Sequence, residues 1–320
     1  MSAGTRGEAV RDLQRRLAGA GFPPHHPEWG VVCPHTVTAI VAFQQARGLP
    51  DDGVCDEDTW TALIEAGWAL GDRVLYHRSP NLRGDDVADL QRRLGRLGFD
   101  AGRVDGIFGP LTAAALEELQ RNLGLPPDGI CGADTVRALR RLGSHTDHGP
   151  AVASVREEER LRDTSGLTGA RVVVGHLGGL GMLTRTIARM LRGSGARVLV
   201  ADELDQRAHA VVANQFQAAA YLGFRSGEHP GPIAFYATAG FESIGGRRLS
   251  ELLVAGLGQA GVGDLCCSAA GMRIPVLRET KMPAVLAQLG PPRAVVDQTP
   301  TVAAATVQAM RRWCGATLKV

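Results

Sequence analysis

The first 142 residues of this 320-residue chain are written twice. Residues 6–22 read RGEAVRDLQRRLAGAGF, and residues 83–99 read RGDDVADLQRRLGRLGF. Residues 48–63, GLPDDGVCDEDTWTAL, return at 124–139 as GLPPDGICGADTVRAL. The offset falls from 77 residues (83 less 6) to 76 (124 less 48), so the first copy carries one extra loop residue. Such self-similarity means one small unit made twice rather than one large core.

Each copy holds three stretches of helical period. In the second copy the stripes are Val87, Leu90, Leu94 and Leu97; Leu116, Leu119 and Leu123; and Val136, Leu139 and Leu142. In the first they are Val10, Leu13 and Leu17; Ile40 and Phe43; and Trp60 and Leu63. Gly-rich turns such as VDGIFGP at 104–110 separate them. Asp58 and Asp134 stand just ahead of the third helices, placed to cap them or favour their dipoles. Three-helix units of about 65–70 residues lie near the lower limit for an independent core.

The later chain has a different texture. Residues 143–169 are polar and lack a sustained apolar stripe, so they read as a linker, with room for a short helix at 155–162 and with His145 and His148 exposed. From Ala170 onward β-branched runs alternate with helical stretches. The strands are expected at Arg171–Val174, Arg197–Val200, Tyr221–Phe224, Ile233–Tyr236 and Pro283–Leu286. The helices are expected around Ile187–Leu191, at 205–220, at Leu249–Leu257 and at Val302–Trp313. Alternation over about 150 residues argues for one three-layer α/β domain. The fold class is therefore multidomain: two small all-α three-helix repeats at 1–70 and 71–142, a linker at 143–169, and an α/β domain at 170–320.

Composition narrows the function classes. Lys and Arg number 35 against 33 Asp and Glu, a net +2, so no whole-chain field points to nucleic acid or anionic lipid. No apolar run approaches the ~18 residues of a membrane span. The N-terminal residues show no secretory pattern, which leads to the expectation of a cytoplasmic protein, associated with the membrane only through partners. None of the six cysteines forms a CxxC pair, and Cys266 and Cys267 are adjacent, so reduced thiols are expected.

The repeated segments carry a resemblance. The V-x-x-L-Q-x-x-L-x-x-L-G-F helix, the D-G-x-F-G-P turn and the D-G-I-x-G-x-x-T end resemble the peptidoglycan-binding repeat found beside many cell-wall hydrolases. That likeness implies a ligand groove in the second copy shaped by Asp105, Gly106, Phe108, Gly109, Asp128 and Gly129, for peptidoglycan or a muropeptide. The first copy departs from the pattern: Trp29 stands at the place of Asp105, and Cys33 at that of Gly109. Either copy could instead be a packing module that holds no ligand.

The α/β half resembles the zinc-dependent N-acetylmuramoyl-L-alanine amidases. Four segments carry the likeness: VVVGHLGG at 172–179, IARMLRGSGARVLV at 187–200, RAHAVVANQFQAAAYLGF at 207–224 and VLRETKMPAVLAQLG at 276–290. Those enzymes hold zinc with two His and one Glu, and a further Glu serves as general base. The resemblance places Leu177 at the first His, Arg225 at the second and Gln288 at the base, with the loop for the Glu ligand missing after Gly179. His176 is the one weak metal candidate, and it is out of register. No cofactor is expected. Glu203, Asp205 and His209 read as a solvated face, and His229, in EHPG, as an exposed turn.

The whole arrangement resembles the actinobacterial CwlM type. That resemblance implies a cytoplasmic, non-hydrolytic protein that controls peptidoglycan precursor synthesis. The implied partners are precursor-synthesis enzymes, including the enolpyruvyl transferase of the first committed step, or membrane-side cell-wall proteins. Phosphorylation near the C-terminus is part of that pattern, and Thr317 is the one hydroxyl residue after Trp313. The other class that stays open is an extracytoplasmic wall hydrolase or wall-binding module. Two weaker readings remain. GHLGGLGMLTRT, with Asp202 and Glu203 after the next strand, superficially suggests a dinucleotide loop, but its glycine spacing is not G-x-G-x-x-G. Gln14-Arg15-Arg16 and Gln91-Arg92-Arg93 sit on the polar side of the first helices, as a solvated face or a surface for an anionic partner.

Overall fold

The computed structural model describes residues 1–142, 152–163 and 166–315. The chain divides into two compact units. One is Met1–Val155 with Thr238–Phe241, the other Arg156–Ala237 with Glu242–Val320.

The first unit holds the two repeats. The first comprises α1 (Glu8–Gly19), α2 (Pro34–Arg47) and α3 (Glu57–Ala66); the second comprises α4 (Asp85–Arg96), α5 (Pro110–Asn122) and α6 (Ala133–Leu142). The helix order is the same in both. Proline at the first position of α2 and of α5 starts each middle helix, where the missing N–H has no partner to lose. Asp56, not Asp58, caps α3, its carboxylate accepting from Thr59 N at 2.8 Å. Asp58 lies in the first turn, where a negative charge favours the dipole.

Each repeat closes on its own core. Val10, Leu13, Leu17, Ile40, Phe43 and Leu63 fill the first, and Val87, Leu90, Leu94, Phe108, Leu116 and Leu139 the second. Leu75 joins the second core, held by paired backbone hydrogen bonds with Cys131. Asp86 is buried and accepts two hydrogen bonds from the Arg73 guanidinium, at 2.7 and 3.1 Å.

Helix α7 (Val152–Asp163) leads into the second unit. Leu161 is buried in the α/β core, and the Glu157 carboxylate accepts hydrogen bonds from Ser243 Oγ (2.5 Å) and Ile244 N (3.1 Å). The second unit therefore begins near Arg156 rather than at 170, because this part of the expected linker carries core and capping contacts. His145 and His148 lie outside the described residues.

The α/β order continues β1 (Arg171–His176), α8 (Gly181–Gly193), β2 (Arg197–Ala201), α9 (Gln206–Gln215), β3 (Ala220–Ser226), β4 (Ile233–Thr238), β5 (Phe241–Glu242), α10 (Ile244–Gln259), β6 (Ala269–Met272), α11 (Pro275–Glu279), β7 (Ala284–Leu289), α12 (Pro292–Asp297) and α13 (Thr299–Gly315). The sheet has seven strands in the order β2-β1-β3-β7-β4-β5, with β6 also paired to β4. β2, β1, β3 and β7 run parallel, and β4 runs antiparallel to β7. Val172, Val173 and Val174 are all fully buried, as in a strand covered on both faces; this is why β1 reads as a continuous apolar run. All six cysteines are free.

Candidate functional site

The parallel strands end on one edge, and the sequence-predicted amidase positions gather there. In sheets of this kind ligands bind outside the carboxyl ends of the strands. β1 ends at His176, which pairs with Phe224, and Leu177 N donates to Phe224 O at 2.9 Å. Gly178 and Gly179 both have positive φ, 90° and 75°, so only glycine makes this turn without strain. The chain then enters α8 at Gly181 directly. Residues 177–180 are Leu, Gly, Gly and Leu, so this turn offers no carboxylate.

Next to it on β3 stands Arg225, in register with Gln288 on β7. Arg225 is half-buried, and its guanidinium forms no ion pair or hydrogen bond with a described residue. Burial pulls its pKa below the ordinary value, though a guanidinium stays charged at any physiological pH. Gln288 is wedged against two glycines: a Cβ on Gly227 or Gly231 would lie 2.8 or 2.5 Å from its amide. Its Nε2 donates to His229 O at 3.4 Å, while His229 itself is exposed.

These residues do not suit zinc. Leu177 has no donor atom, Arg225 is a cation with no lone pair to give, and the Gln288 amide cannot take a proton from water near neutral pH. His176 supplies one imidazole, with Nδ1 buried and unpartnered and Nε2 beside Gly181. Among the described residues no three His, Cys, Asp or Glu side chains cluster as a metal site requires.

His209 is not on a solvated face. It is fully buried on α9, with Nε2 2.7 Å from Glu203 O and Nδ1 2.7 Å from Tyr221 Oη. A carbonyl only accepts, so Nε2 carries the proton and Nδ1 accepts from the tyrosine. Burial lowers the pKa of His209 and raises that of Tyr221. Glu203 is exposed, and Asp205 caps α9 by accepting from Arg207 N at 2.9 Å. A titratable residue on a short helix carries no sequence mark of burial; its partner Tyr221 lies on another element.

In the second repeat, the expected groove residues turn out to hold the turn itself. A buried glutamine organises it. Gln91 Nε2 donates to Asp105 Oδ1 (2.8 Å) and Ile107 O (3.1 Å), and Gln91 Oε1 accepts from Asp105 N (3.1 Å) and Gly106 N (2.8 Å). Asp105 Oδ1 also accepts from Ile107 N at 2.8 Å. Asp128 and Gly129 repeat the pattern with Gln120. Gly109 sits at the N-cap of α5. Phe108 is entirely buried in the repeat core, so its ring cannot touch a ligand and acts through shape alone.

The same clamp occurs in the first repeat with Gln14 and Gln44. Trp29, which replaces the aspartate, is exposed; Gln14 Nε2 reaches the Glu28 carbonyl in its place and keeps the Val31 carbonyl that corresponds to Ile107. Gln14 and Gln91 are therefore core residues and not part of a basic stripe. The arginines that follow them pair with aspartates one turn back: Arg15 and Arg16 with Asp12, Arg92 and Arg93 with Asp89. The glutamine signal was present in the repeated L-Q-x-x-L motif.

Comparison with known proteins agrees with this organisation. Residues 6–63 and 83–139 match the family model described as a peptidoglycan binding domain. The chain is 41% identical over 186 residues to the N-acetylmuramoyl-L-alanine amidase CwlM of Mycobacterium tuberculosis, covering 54% of this chain and 45% of that one. It is 32% identical over 163 residues to the amidase CwlL of Bacillus licheniformis, covering 44% and 45%. The chain thus spans about half the length of these curated relatives. Among solved structures it is similar to the amidase AmiC2 of Nostoc punctiforme, with TM-score 0.35 and 18% identity over 47% of this chain and 96% of that one.

Proposed function

We propose that this protein, two peptidoglycan-binding repeats joined to an amidase-like α/β domain, is a non-catalytic binding and regulatory protein of peptidoglycan synthesis. The carrying observation is the pairing of Arg225 with Gln288 at the strand edge where the amidase resemblance puts a zinc ligand and the general base. A fixed guanidinium repels a divalent cation and invites an anion. The scaffold is kept while its chemistry changes from hydrolysis to recognition. The partners fitting this role are precursor-synthesis enzymes or membrane-side cell-wall proteins, with muropeptide or peptidoglycan as a further ligand of the repeats. The reading places the protein in the cytoplasm. No helix among the described residues is long and apolar enough to cross a membrane. Thr317, the hydroxyl available to a C-terminal kinase, lies outside the described residues.

The names of the two curated relatives favour a second reading, a zinc amidase acting on the wall. Calorimetric titration of the intact chain with muropeptides and with purified precursor-pathway enzymes separates the two. Saturable binding with every muropeptide recovered uncut supports the regulatory reading. Loss of the lactyl–alanine amide bond during the titration supports the amidase.

A further inference from the structure

A second feature of the α/β unit lies on its helical face, where α8, α10 and α13 pack together. A recess of about 690 Å³ opens between them. The residues that line it are mostly small, among them Gly193, Gly256, Ala260, Ala304 and Ala305, together with Met190 and Leu252. Small side chains at a helical surface let another helix approach closely.

The rim is cationic. Arg311 and Arg312 border the recess, Arg192 adjoins it beside Gly193, and Arg189 lies one turn back on α8; all four are exposed. Three of them have neutral hydrogen-bond partners: Arg192 donates to Val198 O (2.8 Å), Arg311 to Ser194 Oγ (2.9 Å) and Arg312 to Gln259 Oε1 (3.2 Å). Arg189 has no partner among the described residues. Neither α8 nor α13 contains an acidic residue, and Glu251, the one acid of α10, is within 3.8 Å of Arg247. The carboxyl ends of α8 and α13 offset about 0.5 charge each, against four full cations.

We propose that this recess receives an amphipathic helix of a partner protein, its apolar ridge against the small residues of the lining and its flanking Asp and Glu side chains against these arginines. A concave slot suits a ridge of side chains, whereas a lipid surface is met by protruding apolar groups. A second copy docking through the same face would set arginine against arginine. The inference holds whether or not the strand edge cleaves anything.

The test places a photo-crosslinking amino acid at Gln308, an exposed residue of the recess, in the full chain within its native cells, and maps the cross-linked peptide by mass spectrometry. The expected result is a partner segment with an amphipathic helical pattern and acidic flanks. Its yield should fall about tenfold or more in the Arg311→Glu, Arg312→Glu double variant and survive Arg311→Lys, Arg312→Lys. Ala304→Trp, which fills the recess without changing charge, should also abolish it, and unchanged circular dichroism shows that the variants fold. Cross-links to lipid, to a second copy or to a segment without acidic flanks, or no cross-link, overturn the proposal. So does charge-dependent binding of the purified chain to phosphatidylglycerol–phosphatidylcholine vesicles, which assigns the arginines to a membrane.

Discussion

Arg225 on β3 lies directly opposite Gln288 on β7 in a parallel register, so the two side chains share one end of the sheet. Arg225 brings a charge with no ion-pair partner among the described residues, and Gln288 brings an amide already engaged by the His229 carbonyl. Together they place hydrogen-bond donors at this end of the sheet. The repeats, by contrast, keep their architecture through a feature unrelated to ligand: one buried glutamine per turn.

Gln91→Leu should therefore unfold the second repeat preferentially. The substitution keeps the volume but leaves the amides of Asp105 and Gly106 without their acceptor. Each orphaned buried donor costs about 1–3 kcal/mol, so a loss of roughly 2–6 kcal/mol is expected. Urea unfolding followed by hydrogen exchange should show lost protection across α4–α6, with the α/β unit unchanged. Wild-type stability would mean the clamp is dispensable.

Much of this fold was legible in the residues because burial was periodic. The Val87–Leu90–Leu94 stripe and the Val172–Val174 run could be placed without coordinates. β6 could not: Ala269, Ala270 and Gly271 have little strand preference, and pairing with β4 holds them extended. α11 is a five-residue helix, too short for a period. The strand-edge site was legible as a set of positions, and the structure brings Leu177, Arg225 and Gln288 to one edge. In the second repeat the roles of the turn residues were not legible, because they depend on partners distant in sequence: Phe108 fills the core, and Asp105 answers to Gln91.

His209 gives a pH signature. Burial holds its pKa below the ordinary value of about 6.5, so the unfolded chain takes up a proton that the folded chain refuses. This contribution is complete above about pH 6.5 and is lost as pH falls below it. Stability of the α/β unit should drop as pH falls below about 6.5, and His209→Gln should flatten that part of the slope. An equal slope in wild type and variant would place the titration elsewhere.

Thiol reactivity should single out Cys267. It is exposed, whereas burial pushes Cys55, Cys266 and Cys314 up to about 11 and Cys131 up to about 12. At Cys33 the effect of burial is outweighed by the Thr36 hydroxyl and nearby backbone groups, which lower its pKa, yet the residue is only 6% exposed. An aromatic disulfide reagent at about pH 8 should show one fast thiol per native chain, removed by Cys267→Ser. A second fast thiol lost in Cys33→Ser would show that the first repeat opens readily.

The most direct test of the account is cleavage of N-acetylmuramoyl-L-alanine in a muropeptide by the purified full chain, with zinc added and with a chelator, for the wild type and for Gln288→Glu. The account predicts no cleavage above background in any of these conditions and no stoichiometric zinc by elemental analysis, since restoring one carboxylate leaves Leu177 and Arg225 in place. Zinc-dependent cleavage by the unmodified chain, abolished by the chelator, would contradict it.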